Sequence, residues 1–310
     1  MLAKADNRML AGDHRAANAY YGQVGRLAGE GEPLARDELL RARDATLWLA
    51  DRFRDQMLGA LDAAGFPASQ WHPRFRKSIE IMLGHRQRDP EYVQYPQLPM
   101  TYFYPDTDYC TFASSEGYEW RETLRSKTDA IRQEGLALIG EEGSFRAYVQ
   151  RDTSRPQGDV HGLVDNDEWS TCYLTDKGAP IAERTTRNPA TWAALQQDVP
   201  LCDITARAPS VMFSLLRPGA KIPPHTGMLN TRFICHLPLI IPPDCGFRVG
   251  GDTRQWDVGE LMVFDDTVEH EAWNHSPENR LLLIFDVWRP EITLEERAQI
   301  RALFEAVDAY

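Results

Sequence analysis

Short strand-like segments separated by turn residues fill the second half of the sequence, while helical periodicity is confined to the first 65 residues, one middle segment and the C-terminus. Those two observations predict a mainly β core, an antiparallel sandwich or jelly roll, framed by helices and preceded by a helical N-terminal extension. A third observation is size: 310 residues with 43% hydrophobic content supply a substantial core and exceed a usual single domain. The expected division is a helical extension over 1–65, a connector and flanking helix packing on the core over 66–149, and a β domain with a C-terminal helix over 150–310.

In chain order, apolar residues recur close to a 3.6 period at Leu39, Leu40, Leu47, Trp48, Phe53, Met57, Leu58 and Leu61, which predicts a helix over 33–64. Gly65 and Pro67 stop it, and 16–27 is a candidate partner helix. Residues 66–116 are rich in Pro and Tyr with little periodicity, so an extended, aromatic connector is expected, one that could line a cleft. A helix follows over about 118–139, ended by Gly140, and 150–170 is polar and expected to be loop. Strand candidates then come at 211–216, 231–241, 247–249, 261–264 and 280–288, with turns such as Arg217-Pro-Gly and Gly250-Gly-Asp between them. Thr293 and Glu296 match a capping box that opens a last helix to about Val307.

The net charge of −12 argues against nucleic acid or an anionic membrane surface as partner. The longest apolar runs, 237–243 and 281–285, are strand-sized rather than membrane-spanning, and the first residues show no apolar stretch of a secretory signal. Five cysteines without CxxC spacing fit reduced thiols better than a disulfide framework or a zinc site. A cytoplasmic protein is the expectation.

Eight histidines are present. His14, His72, His85 and His161 are scattered and receive no role, and His275 fits a surface loop. His225 follows Lys221-Ile-Pro-Pro, and His270 closes Phe264-Asp-Asp-Thr-Val-Glu-His, 45 residues later. Imidazoles beside turns of a jelly roll are metal-ligand candidates, and neutral imidazole suits divalent iron. The acid expected two residues after the first histidine of an iron oxygenase is Gly227 here. From the residues alone, the pair is either a two-histidine metal site or two structural histidines.

The ordered series His225-Thr-Gly-Met-Leu-Asn-Thr-Arg, His236-Leu-Pro-Leu, Trp256-Asp-Val-Gly-Glu, Phe264 to Asn274 and Asp286-Val-Trp-Arg-Pro resembles the aspartyl/asparaginyl β-hydroxylase family. The resemblance covers roughly 150–298, with weaker similarity over 120–138. It implies a double-stranded β-helix (jelly roll) and an iron(II)- and 2-oxoglutarate-dependent dioxygenase that uses O2. That family binds metal with two histidines and a glycine in the acid position, which assigns His225 and His270 to iron. It makes Asp266 the acid that orients water in the position left open, against the simpler role of capping a turn beside Asp265. It gives Arg280 and Ser214 to the far carboxylate of 2-oxoglutarate, where a guanidinium fork suits a buried carboxylate. His236, by position a candidate core histidine, falls near the cosubstrate's 1-carboxylate.

Ile234 replaces a second arginine of the family's animal members, while Arg232, a substrate contact in the family, is retained. The implied reaction turns 2-oxoglutarate into succinate and carbon dioxide while hydroxylating an unactivated C–H, the β-carbon of an Asp or Asn residue or a related amino-acid-like substrate. Arg232 points to an acidic or amide-bearing group. Thr171 stands where the family's peptide hydroxylases present an amide, which argues against a disulfide-rich animal-type domain as substrate. The competing reading is a jelly-roll ligand or metal binder without turnover, with 1–65 as its partner-binding module. A zinc hydrolase is a third reading, weakened by the lack of a clear third ligand.

Overall fold

The computed structural model describes residues 1–151 and 162–310, so His161 and most of the stretch expected to be loop lie outside the described residues. The chain opens with helices α1 (Leu2–Leu10), α2 (His14–Gly29) and α3 (Arg36–Ala63), then α4 (Pro73–Met82), strand β1 (Phe112–Ala113) and helix α5 (Glu119–Ile139). Next come β2 (Arg146–Ala147), β3 (Trp169–Tyr173), β4 (Thr175–Asp176), β5 (Ala179–Pro180), α6 (Ala182–Arg187) and α7 (Pro189–Leu195). The remaining elements are β6 (Met212–Leu216), β7 (Lys221–His225), β8 (Arg232–Ile240), β9 (Cys245–Val249), β10 (Asp252–Arg254), β11 (Met262–Phe264), β12 (His270–Asn274), β13 (Arg280–Trp288) and α8 (Leu294–Asp308).

The described residues sort into two compact units. One holds Met1–Trp71 with residues 150 and 151 and Ala302–Tyr310; the other holds His72–Val149 and residues 162–301. In the first, α1, α2 and α3 bury Leu2, Ala5, Tyr20, Tyr21, Val24, Ala42 and Leu49 against one another. Leu40, Leu47 and Trp48 face outward, which departs from the expected apolar stripe. Ala42 and Leu49, seven positions apart, take the inward face instead. The sequence reading also passed over α1, which is too short to show a repeated apolar period.

The second unit is built on two antiparallel sheets, with strand order β1-β11-β8-β13-β6-β3-β2 in the larger and β10-β9-β12-β7 in the smaller. A strict period of two divides the larger sheet's side chains. Phe213, Leu215, Phe233, Cys235, Leu237, Leu281, Leu283 and Phe285 turn outward to a core shared with Trp120, Leu124, Ile131 and Leu138 of α5. Gly135 lets α5 approach: a Cβ there would lie 2.6 Å from Leu281 Cδ2. The alternate residues Trp169, Leu216, Phe264 and Leu282 turn inward to a second core with Ile222, Phe247, Val249 and Ala272 of the smaller sheet. This is a double-stranded β-helix.

Strand β13 has the expected bounds, and β6, β8, β9 and β11 fall within two residues of theirs. The connector departs from expectation at α4, where Pro73 occupies the first turn and its missing N–H leaves no helical bond unmade. The predicted capping box is present: Thr293 N donates to Glu296 Oε2 at 2.9 Å and Glu296 N to Thr293 Oγ1 at 3.3 Å. Glu296 also accepts from Tyr104 Oη at 2.8 Å and pairs with Arg74 at 2.9 Å. Burial opposes its charge, but the Thr293, Tyr104 and Arg74 contacts prevail and hold its carboxyl below the usual value. A depressed folded value adds stability above the unfolded carboxyl range and loses it as pH falls. Glu296→Gln is therefore expected to cost roughly 1–3 kcal/mol at pH 7, with the deficit shrinking in acid, as read by denaturant unfolding against pH.

Candidate active site

In the smaller sheet β7 and β12 pair directly, with His225 and His270 as Cα partners. Their rings lie 4.1 Å apart. His225 ends β7 and His270 begins β12, and both use the same local device: Nδ1 of His225 is 2.8 Å from Pro223 O, and Nδ1 of His270 is 3.0 Å from Val268 O. A carbonyl only accepts, so each Nδ1 carries a proton and each Nε2 is the nitrogen turned away from the backbone. Burial, followed by the neighbouring His225, pushes His270 down to about 3, so its imidazole is neutral. Among the described residues no group of three or more His, Cys, Asp or Glu side chains is placed to hold a metal, so the protein offers a pair of imidazoles rather than a cage.

Gly227 and Asp266 occupy one another's space. A Cβ built on Gly227 would stand 1.9 Å from Asp266 Oδ2, and Gly227 N donates to Asp266 O at 2.6 Å. Asp266 and Asp265 divide two tasks. Asp265 Oδ1 caps the turn, accepting from Thr267 N at 2.9 Å and Oγ1 at 2.6 Å, and its Oδ2 meets Arg289 at 2.8 Å. Asp266 is 5% exposed, touches Arg232 at 3.3 Å, and leaves Oδ1 without a partner among the described residues. Burial pushes its carboxyl up to about 7, with Arg232 pulling the other way.

The inward face of the larger sheet presents the remaining predicted residues. Arg280 begins β13 at 1% exposure; its Nη2 donates to Ser214 Oγ at 3.2 Å, and its Nε has no partner among the described residues. Its guanidinium lies over the Trp256 ring at 5.2 Å, with no carboxylate in ion-pair contact among the described residues. Ser214 also accepts from Trp169 Nε1 at 3.2 Å, and the Trp169 ring is 6.1 Å from His225. His236 sits among Phe247, Phe264 and Trp256, accepting from Trp256 Nε1 at 3.3 Å. Burial, then Arg280, holds it well below the usual imidazole value. Phe264 and Phe247 in turn lie 5.5 and 6.0 Å from His270. Through these contacts His225, Ser214, Arg280, His236 and His270 form one continuous lining between the sheets.

Arg232 is differently placed. Its guanidinium pairs with Asp286 and, at 3.3 Å, with Asp266. Burial opposes its charge, but Asp286 and then Asp266 hold it above its usual value. Asp286 escaped the sequence reading, although an acid inside Leu-Leu-Leu-Ile-Phe-Asp-Val-Trp is costly unless paired. Tyr148 and Tyr173 were missed too. Tyr148 stacks on Trp169 at 3.8 Å and its hydroxyl hydrogen-bonds that of Tyr173. Nothing local in the sequence marks that pair.

The connector straps both histidine-bearing loops. Leu98 N donates to Thr267 O at 2.7 Å and Met100 N to Gly227 O at 2.9 Å. Gln97 Nε2 reaches Asp265 at 2.6 Å, and Asn230 bridges Gln97 to the Tyr104 backbone. Three observations fit an iron(II) ion with 2-oxoglutarate: paired imidazoles with their Nδ1 atoms held on backbone carbonyls, a carboxylate oxygen beside the open 227 position without a partner among the described residues, and a buried guanidinium without an ion-pair partner among them.

Two antiparallel sheets enclosing paired imidazoles and a buried arginine define a double-stranded β-helix protein with a candidate metal and anion site. The chain belongs to the aspartyl/asparaginyl beta-hydroxylase family, whose model matches residues 125–290, just over half of it. It is 32% identical over 191 residues to the mouse aspartyl/asparaginyl beta-hydroxylase, a match covering 60% of this chain and 24% of that protein. It is also 29% identical over 176 residues to the ornithine lipid ester-linked acyl 2-hydroxylase of Rhizobium tropici, covering 56% of this chain and 58% of that one. The chain thus matches about a quarter of the length of the mammalian relative. No helix of the described residues is long and apolar enough to cross a membrane.

Proposed function

We propose that this chain is an iron(II)- and 2-oxoglutarate-dependent dioxygenase that hydroxylates an unactivated C–H, the β-carbon of an Asp or Asn residue or a related amino-acid-like substrate. The observation that carries the reading is Arg280, a 1% exposed guanidinium with Ser214 as hydrogen-bond partner and no carboxylate in ion-pair contact among the described residues, on the same lining as the His225–His270 pair. A structural arginine buried that deeply would be paired within the protein, as Arg289 is with Asp265. A dicarboxylate ligand completes it.

In this reading His225 and His270 hold the metal through Nε2, their Nδ1 protons anchored on backbone carbonyls that fix ring orientation. Arg280 and Ser214 take the far carboxylate of 2-oxoglutarate, and His236, neutral and fixed by Trp256, faces the 1-carboxylate. The Asp266 carboxylate occupies the space that a side chain at 227 would take, and it would orient a water bound to that metal. The bound metal and cosubstrate supply dioxygen activation, with succinate and carbon dioxide as co-products. Trp169, Phe247, Phe264 and Trp256 keep the interior dry, and the residues around Arg232 orient the substrate. No general base is required.

The support from relatives is the family itself and two hydroxylases among them, one named for Asp/Asn residues and one for a lipid acyl chain. The test is anaerobic titration with iron(II) and then 2-oxoglutarate, following the visible absorption of the chelate. His225→Ala and His270→Ala are each expected to lower iron(II) affinity at least 100-fold while the protein stays folded, since each removes one of two imidazole ligands. Wild-type affinity in either variant would remove the metal assignment.

A further inference from the structure

Trp169 stands between the paired histidines and the surface. Its ring is 6.1 Å from that of His225 on one side, and on the other it stacks on Tyr148 at 3.8 Å with the planes 20° apart. Trp169 is 8% exposed, whereas Tyr148 is 37% exposed and its hydroxyl hydrogen-bonds that of Tyr173. Two easily oxidised rings therefore lead, in steps of near contact, from a histidine of the lining to solvent. Electron transfer falls off steeply with distance, so stacked rings of this kind are efficient relays.

The other tryptophan of the lining has no such exit. Trp256 is 3% exposed, and it lies against Phe247 at 5.4 Å and His236 at 6.0 Å, rings that are much harder to oxidise than a phenol. A second stacked pair, Tyr118 and Trp120 at 5.1 Å, belongs to the core that the larger sheet shares with α5, on the face turned away from the histidines.

The hydrogen bond of Trp169 suits it to a relay. Its Nε1 donates to Ser214 Oγ at 3.2 Å, and that oxygen also accepts from Arg280. Both lone pairs of the hydroxyl oxygen are thus engaged, and it cannot take the indole proton. Trp169 that has lost an electron stays a radical cation, a stronger oxidant toward a phenol than the neutral indolyl radical. The stacked Tyr148 ring can supply the electron, and its exposure lets the phenolic proton pass to water.

We infer, on the hydroxylase reading above, that Trp169 and Tyr148 form a one-electron path that discharges the metal centre to solvent when dioxygen is consumed without substrate. Under that reading dioxygen and 2-oxoglutarate generate a two-electron oxidant beside His225. One electron passes from Trp169 to that oxidant and one from Tyr148 to the Trp169 radical cation, while Tyr148 loses its proton to water. A soluble enediol reductant such as ascorbate returns the tyrosyl radical to tyrosine with an electron and a proton. Two passages, with two protons taken up at the metal, leave iron(II) and water. The side chains of the lining are spared oxidation.

The full chain loaded with iron(II) and 2-oxoglutarate is mixed with dioxygen in the absence of substrate and ascorbate, rapidly frozen and read by EPR. A tyrosyl radical is expected in the wild type, and at least tenfold less of it in Tyr148→Phe, which keeps a stacked ring and removes the phenol. The visible chelate band of that variant is expected to be unchanged. After repeated exposure to dioxygen with ascorbate present, peptide mass spectrometry is expected to find several-fold more added oxygen on lining residues in Tyr148→Phe than in the wild type. Absence of the radical in the wild type overturns the path, as does an equal radical in Tyr148→Phe or equal oxidation of the two proteins. A formed chelate without the Tyr148 radical sinks the path alone. A missing chelate sinks the hydroxylase reading, and the path with it, since no oxidant is then made beside His225.

Discussion

Arg280→Met is expected to stabilise the ligand-free protein and to abolish its response to 2-oxoglutarate. In the free protein the guanidinium is 1% exposed, donates to Ser214 and leaves Nε unpartnered among the described residues. Burial pushes it down to about 10 from its ordinary 12.5. A base whose folded value is depressed subtracts stability at every pH below that value, and the cost fades only as pH rises through it. A shift of that size corresponds to roughly 3 kcal/mol at pH 7. Methionine fills similar volume beside Trp256 without a charge to desolvate, so the melting temperature of the ligand-free variant should rise by several degrees. Millimolar 2-oxoglutarate with iron(II) should raise the melting temperature of the wild type and leave the variant unmoved, because ligand binding stabilises only the state that binds. Destabilisation of the free variant would mean that Arg280 is a structural cation with a partner inside the protein. Persistent 2-oxoglutarate stabilisation would move the far carboxylate elsewhere.

The strands that build this site were legible because their alternation is strict: Arg280 to Trp288 alternates between a helix-covered core and the inter-sheet core, and hydrophobicity on both faces marks it as central. Strands β7 and β12 were less legible, being short and proline- or polar-rich, yet they carry His225 and His270. Their pairing is a long-range event, so only the resemblance joined the two histidines. A buried charge in an apolar strand is a local signal, and it applies to Arg280 and Asp286 alike, though only the resemblance gave Arg280 a role. Asp265 and Asp266 could not be told apart in sequence, since adjacent acids in a turn differ only in which way each side chain leaves the backbone. The roles of Gln97 and Met100 in holding the histidine loops were hidden for another reason: they act through a backbone donor and an amide side chain about 130 and 170 positions from their partners.

Gly227→Ala is expected to be far more damaging than its single added methyl suggests. The φ of Gly227 is not in the left-handed region, so backbone strain is not the cause. The methyl would stand 1.9 Å from Asp266 Oδ2 and 2.2 Å from its Cγ, and something must shift. The glycine's own backbone is held on both sides, its N by Asp266 O and its O by Met100 N, so the carboxylate is the part that moves. Displaced, Asp266 loses its contact with Arg232 and leaves that guanidinium, already without an Nε partner among the described residues, half compensated in the interior. Disturbing such a buried charge network costs about 3–5 kcal/mol when a partner is lost outright, so a loss of 2 kcal/mol or more is expected in denaturant unfolding. Iron(II) affinity should fall with it. If the proposed role of Asp266 holds, Asp266→Ala alone should also weaken metal binding, by removing the carboxylate oxygen that has no partner among the described residues. The decisive comparison is the double variant. If the glycine exists to make room for the Asp266 carboxylate, Gly227→Ala costs little once Asp266 is alanine, and a double-mutant cycle on stability returns a coupling of at least 1 kcal/mol. Additive losses would mean that the two residues act independently, and that the glycine at this position answers to something other than the acid packed against it.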